Sequence, residues 1–399
     1  MTGRQYALLA AILGLLPMML PLSVDGSLAI VPAAAPYFGV SVSAVQFSFS
    51  AVVLGIAVGQ LVYGPLSDRF GRKPVILAGI AMYVAVSLAC SAAASVEALI
   101  GLRFLQGFFA CSGIIVARAV IRDLFDREDG ARLFALMMGI HGIMPTLAPG
   151  VGGWLTATYG WQAVFYAMAL FGMFIAAAVI FGLRESSAER RPGAASIKGT
   201  LRSFRTILRD RTFRAFAICA CCMYGALMAY FAGAPVGLIQ YLGLEPAVFG
   251  VAMAVPMVAY IAAQIAVARV APRIGMQRMI RTGVSLASIA GIGMLFFVLA
   301  GIVNLYTLIG PVVLMLVSLS FVTPATTAGA MSPFGQMAGA ASSLLGFIQF
   351  AAGAAATAVV GLLNDGTPLP MAAVICASTL GSFVAWRTLV RPLLRGGAA

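Results

Sequence analysis

Gly64-Pro65-Leu66-Ser67-Asp68-Arg69-Phe70-Gly71-Arg72-Lys73 is a short polar interruption between two long apolar runs, residues 43–65 and 74–94. Glycines at both ends of the stretch permit a tight turn between two helices. Arg69, Arg72 and Lys73 favour the cytoplasmic side of a membrane and can reach lipid phosphates there. The flanking runs have the length a bilayer demands, since a hydrocarbon core about 30 Å thick takes roughly 20 apolar residues per helix. On charge alone the stretch reads as a basic loop that fixes topology.

The same pattern recurs along the chain. Of its 399 residues, 62% are hydrophobic and 9% charged, with a mean hydropathy of +1.02. That is far more apolar than a soluble domain. Charged and turn-rich breaks mark out twelve segments at about 6–32, 43–65, 74–94, 97–121, 131–155, 161–183, 212–238, 246–268, 279–301, 303–327, 339–363 and 368–390. We expect an all-α integral membrane protein of twelve transmembrane helices. The first segment runs past Pro17 and Pro21 into further apolar sequence without a small-residue cleavage site, so it is read as a span and not as a leader. With the N-terminus inside, every basic residue except Arg103 and Arg118 falls in a cytoplasmic connection, the central linker or a terminus. The positive-inside rule then places both termini in the cytoplasm.

Residues 184–211 form the one long polar stretch, rich in Arg and Ser, with Arg184, Arg190 and Arg191 among its basic residues. It divides the spans into an N-terminal six-helix bundle at 1–183 and a C-terminal six-helix bundle at 212–399. Asp68-Arg69-Phe70-Gly71 after the second span is echoed by Pro272-Arg273-Ile274-Gly275 after the eighth, with Arg and Gly kept and the acid lost. Two pseudo-symmetric halves are expected.

Several function classes are disfavoured. The net charge of +13 lacks the basic soluble face that nucleic-acid binding needs. All six cysteines lie in apolar runs, which suggests neither disulfides nor a metal site. An intramembrane enzyme needs a Ser–His pair, paired acids or a metal cluster within the spans, and no such set is apparent, so no enzyme, metal or cofactor is expected.

The opening stretch resembles the signature loop between spans two and three of the major facilitator superfamily. In that family the acid corresponding to Asp68 sits against the N-terminal end of the eleventh helix, where the helix dipole favours negative charge. Gly64, Asp68, Arg69, Gly71, Arg72 and Lys73 would form this cytoplasmic gate. Arg103-Phe104-Leu105-Gln106-Gly107 resembles the family's second motif, whose arginine is linked to proton transfer and substrate binding. Ala148-Pro149-Gly150-Val151-Gly152-Gly153 resembles the motif shared mainly among exporters, with Ala148 in place of its usual glycine. Pro149, Gly152 and Gly153 carry that match. Within the superfamily the chain is most similar to the drug:proton antiporters of the Bcr/CflA branch, as in Gly59-Gln60-Leu61-Val62-Tyr63-Gly64-Pro65, Arg122-Asp123-Leu124-Phe125, Gly160-Trp161-Gln162-Ala163-Val164-Phe165 and Ala338-Gly339-Ala340-Ala341-Ser342-Ser343-Leu344-Leu345-Gly346. The resemblance implies a monomer of the bacterial inner membrane that exports amphenicol-like, bicyclomycin-like or other lipophilic drugs. Export runs against protons by alternating access around a central cavity. Export or symport of an endogenous metabolite or siderophore is the alternative.

Asp25 is the one acid inside the predicted spans. Its ionised form is costly in a low-dielectric site, which suits a group that takes up and releases protons. An outer-edge position that merely meets water is the other reading. The branch usually has Asp-Met-Tyr-Leu-Pro where this chain has Asp25-Gly26-Ser27-Leu28-Ala29, so the acid is kept and the wall beside it altered. Arg103 is expected to face the cavity or pair with Asp25, or else to snorkel to the outer interface. His141, the single histidine, is a possible proton relay. Ser27, Gln106, Tyr224, Tyr230, Tyr260 and Gln349 are candidate cavity residues, with packing as the alternative role for the aromatics.

Overall fold

The protein is known from a computed structural model, described for residues 3–125, 127–183, 185 and 197–396. Arg184, Arg190 and Arg191 of the predicted linker lie outside these residues. The described residues fold into helices and turns, without a strand. Eleven helices are long and apolar enough to cross a membrane. The predicted fifth span lies in a further helix, Arg127–Tyr159, which continues through Pro145 and Pro149.

The chain divides into two compact units, Met1–Thr200 and Leu201–Ala399. In the first, the leading span is split into α1 (Gly3–Leu15), a 3-10 turn (Leu16–Met18), α2 (Met19–Asp25) and α3 (Ile30–Phe38). It is followed by α4 (Val42–Phe70), α5 (Arg72–Ser91), α6 (Val96–Leu124), α7 (Arg127–Tyr159) and α8 (Gln162–Gly182). Then α9 (Ile197–Arg209) occupies part of the stretch read as a polar linker, and α10 (Arg211–Ala234) follows it. The second unit continues with α11 (Pro246–Ile274), α12 (Met276–Leu299), α13 (Leu305–Met331), α14 (Ala338–Leu362), α15 (Leu369–Ala385) and α16 (Arg391–Gly396).

Close backbone approach between α4 and α6 holds the first unit together. A methyl group on Gly55 would lie 2.0 Å from the Phe104 carbonyl oxygen, and one on Gly107 would lie 2.0 Å from that of Val52. Each helix thus presses a glycine against its neighbour's backbone, the small-residue packing that dispersion favours where lipid supplies no hydrophobic drive. In the second unit, α12 packs on α13 and on α15, and α10 on α14.

The two motif loops share one geometry. Gly71 alone separates α4 from α5, at φ 97° and ψ 158°, and Gly275 alone separates α11 from α12, at φ 78° and ψ 155°. Residues with a Cβ rarely adopt such positive φ, which explains the glycine at both sites. The surroundings differ. Arg72 Nη1 lies 2.5 Å from Asp68 and donates at 2.7 Å to Ser67, while its Nε donates at 2.8 Å to Asp123. Glu185 accepts from the backbone amides of Arg72 at 2.9 Å and Lys73 at 3.1 Å, so a carboxylate occupies the N-terminus of α5, where the helix dipole favours it. Lys73 Nζ donates to the Ile180 carbonyl at 2.9 Å. The expectation that Arg72 reaches lipid phosphates is therefore corrected: its side chain is buried, and Asp68, Asp123 and Ser67 accept from it. Arg69 remains exposed, with its guanidinium 5.1 Å from the Phe70 ring.

Gly107→Val should lower the thermal stability of the purified protein. Overpacking of this kind typically costs about 1–3 kcal/mol. Gly101→Val, where an added methyl group would meet nothing from another helix within 4 Å, should leave stability unchanged. Detergent-phase unfolding curves of the two variants make the comparison.

Candidate functional site

The first span is broken for a covalent reason. Pro17 and Pro21 carry no amide hydrogen, so the helix loses two ladder bonds and tightens into the 3-10 turn between α1 and α2. A second break follows Asp25. There the backbone closes i to i+3 bonds, from Leu28 N to Asp25 O at 3.4 Å and from Ile30 N to Ser27 O at 3.1 Å, before α3 begins. The break is pressed against α7: a methyl group on Gly152 would lie 2.0 Å from the Gly26 carbonyl oxygen. Gly152, picked out by the exporter motif, thus admits the backbone that carries Asp25. Pro149 and Gly153 are buried nearby on the same helix.

Arg103 is 1% exposed, which excludes the snorkelling reading. Its guanidinium donates to the Ser23 carbonyl at 2.8 Å, to Ser27 Oγ at 2.6 Å and to Gln106 Oε1. It also lies 5.7 Å from the centre of the Phe165 ring. Gln106, one helical turn further along α6, donates to Ser87 Oγ at 2.7 Å and to Met168 Sδ at 3.4 Å. Ser23 Oγ donates to the Met19 carbonyl at 2.7 Å and shares a 2.9 Å hydrogen bond with Tyr83 OH. One buried network therefore joins the first span to α5, α6 and α8, with Arg103 at its centre. Ser27 and Gln106, read as cavity residues, are 4% and 0% exposed and belong to this network.

Asp25 stands apart from it. The expected Asp25–Arg103 pair is absent: no ion pair joins the two, and Asp25 Oδ1 has no hydrogen-bond partner. Helix geometry gives the reason. Ser27 Oγ donates to the Ser23 carbonyl at 2.8 Å, so the two share the side that meets Arg103, whereas Asp25, two residues on from Ser23 within α2, is turned about 200° from it at 100° per residue. Asp25 is 3% exposed, so the reading that it merely meets water at an outer edge does not hold. Arg103 grips the peptide on both sides of the carboxylate and does not neutralise it.

His141 on α7 lies at the Pro17 carbonyl and near Arg118, with its Nδ1 unpartnered. Pro21 cannot supply the amide that would normally bond Pro17, which leaves room for this side chain. Arg118 packs 5.8 Å from the Phe134 ring with its Nε unpartnered. Neither joins the Arg103 network.

The remaining candidates lie in the second unit and do not converge. Tyr224 stacks edge-on with Phe350 at 5.0 Å. Tyr230 is 1% exposed and its hydroxyl donates to Met253 Sδ at 3.0 Å, which fits packing. Tyr260 OH accepts from Gln264 Nε2 at 2.6 Å. Gln349 is half-buried on α14. Sequence reasoning missed Ser23, Tyr83, Ser87 and Glu185. Ser23 with Ser27, and Tyr83 with Ser87, are polar pairs at i,i+4 inside apolar runs, and that spacing was the available signal.

Ser27→Ala should leave a buried guanidinium hydrogen without its acceptor, at a cost of about 1–3 kcal/mol. A lowered midpoint in thermal unfolding of the detergent-solubilised protein would register it.

The Major Facilitator Superfamily model matches residues 8–357. An uncharacterised MFS-type transporter, YdgK of Bacillus subtilis, is 30% identical over 94% of this chain and 93% of its own length. A bicyclomycin resistance protein homologue of Haemophilus influenzae is 28% identical, with 94% of each chain covered. Multidrug resistance protein D of Escherichia coli is 30% identical over 77% of this chain and 76% of its own. Among solved structures, a D-xylose–proton symporter superposes with a TM-score of 0.75 at 12% identity, covering 96% of this chain and 97% of that one. At that identity the likeness concerns the fold. Eleven long apolar helices among the described residues, the loop built around Gly71 and Arg72, and the match over most of the sequence lead to one assignment: this chain is a multi-pass membrane transporter belonging to the Major Facilitator Superfamily.

Proposed function

We propose that this transporter is a proton-coupled antiporter that exports lipophilic drugs or antibiotics, of the amphenicol or bicyclomycin kind or more broadly, by alternating access between its two halves. The observation that carries the reading is Asp25, a carboxylate 3% exposed whose Oδ1 has no hydrogen-bond partner, at the end of a broken membrane helix. Burying an unpaired charge is expensive, and a proton removes the cost without any protein partner. Arg103 holds Ser23 and Ser27, so the segment carrying Asp25 keeps its place in either protonation state. Exchange follows when a bound cargo and a bound proton disfavour one another at this segment. Relatives named for multidrug and bicyclomycin resistance support the cargo class. We further infer a monomer of the bacterial inner membrane with both termini cytoplasmic, because the positive charge gathers at its connections and ends.

In proteoliposomes, addition of an exported drug to the wild-type protein should drive proton movement across the bilayer. Asp25→Asn should abolish that movement while drug binding persists. Undiminished exchange in this variant would remove Asp25 from the mechanism.

A further inference from the structure

The helix inside the central connection has no place in the transport reading, and its surface is divided. On α9, Leu201 and Leu208 are 60% and 44% exposed, and Phe204 lies between them on the same face. Their spacing of three and four residues makes one apolar stripe. Arg202, Arg205 and Arg209 are exposed and stand one residue on from these, forming a basic stripe along its flank. Among the described residues none of the three is in an ion pair. On another side Ile207 is fully buried, which ties the helix to the protein.

The join to the membrane span is short. Asp210 alone separates α9 from α10, and its side chain accepts from the Phe213 amide at 2.8 Å. This N-cap has ψ 130°, so the chain turns a corner there before it enters the bilayer. Arg211 and Arg214, in the first turn of α10, are also exposed. A helix that ends one residue before a transmembrane span, with an apolar stripe bordered by arginines, has the form of an interfacial helix: its leucines enter the acyl boundary and its guanidinium groups meet phosphates.

We propose that α9 seats on the cytoplasmic leaflet by binding anionic lipid headgroups through Arg202, Arg205 and Arg209, with Leu201 and Leu208 inserted beside them. The occupant is the surface of the membrane that already surrounds α10, so the two interfaces are continuous. The proposal rests on the cytoplasmic orientation inferred above.

The test uses the full chain in vesicles of phosphatidylcholine, with or without phosphatidylglycerol, and a bulky membrane-impermeant maleimide. Leu201→Cys should react at least about tenfold more slowly in the anionic vesicles, since each of the three arginines near an anionic surface is worth up to about fivefold in occupancy. Thr206→Cys, on the opposite side of α9, should react equally in both. The unmodified chain gives the baseline, because five of its cysteines are buried and Cys222 partly so. Replacing Arg202, Arg205 and Arg209 together by Gln should restore fast labelling of Leu201→Cys. Equal rates in the two lipids, or equal protection by neutral lipid, would overturn the proposal. Adding the reagent before and after permeabilisation reports which side the helix faces, so an inverted topology would appear as reversed sidedness with the lipid difference intact.

Discussion

The buried polar bonds of the first unit gather around a guanidinium group shielded from solvent. Arg103 sits at membrane depth and is 1% exposed, a position that costs at least about 2.5–3.5 kcal/mol on insertion scales unless the protein supplies its solvation. The acceptors come from the first span and from its own helix, and neighbouring groups hold those acceptors in turn. Tyr83 fixes Ser23, and Ser87 fixes the Gln106 amide. The first span is poorly held by its own backbone ladder, interrupted by Pro17 and Pro21 and again after Asp25. An outside anchor therefore matters more there than in any continuous helix.

The fold was legible because a bilayer leaves few options: apolar runs of adequate length must be helices, and charge asymmetry orders them. Arg103 and Gln106 were each legible through the motif they share, although neither was read as the other's partner. Their other partners were not legible. Serine and tyrosine are common in membrane helices, and which of them turn toward an arginine depends on the rotation of each helix. The same gap explains the mistaken Asp25–Arg103 pairing: two opposite charges in adjacent spans invite a salt bridge, yet the carboxylate lies two residues from both serines that Arg103 holds. The order in the central connection was missed because hydropathy averages α9 to a polar value, although its apolar residues follow a helical spacing.

The signature loop illustrates a different limit. Its basic residues fix topology through their charge, and that much is read directly. In the folded chain, however, Arg72 is held by Asp68, Asp123 and Ser67, and Glu185 closes on the first amides of α5. The repeat at Gly275 keeps the same backbone angles without the acid that Asp68 provides, since Pro272 stands there. A shared one-residue turn has thus been retained in both halves while the charge cluster marks only the first.

The reciprocal glycines of α4 and α6 have a mechanical consequence. Each places a backbone hydrogen where any side chain would strike the other helix's carbonyl, at two levels on facing helices. Sliding by one residue, about 1.5 Å, would bring Val52 or Phe104 past a neighbour that is no longer glycine. The pair is therefore stiff along its length and behaves as a strut. The turn from Gly26 to Ala29, where the backbone ladder is open, takes its stiffness from other helices instead: Arg103 holds Ser23 and Ser27, and Gly152 lets α7 press on the Gly26 carbonyl.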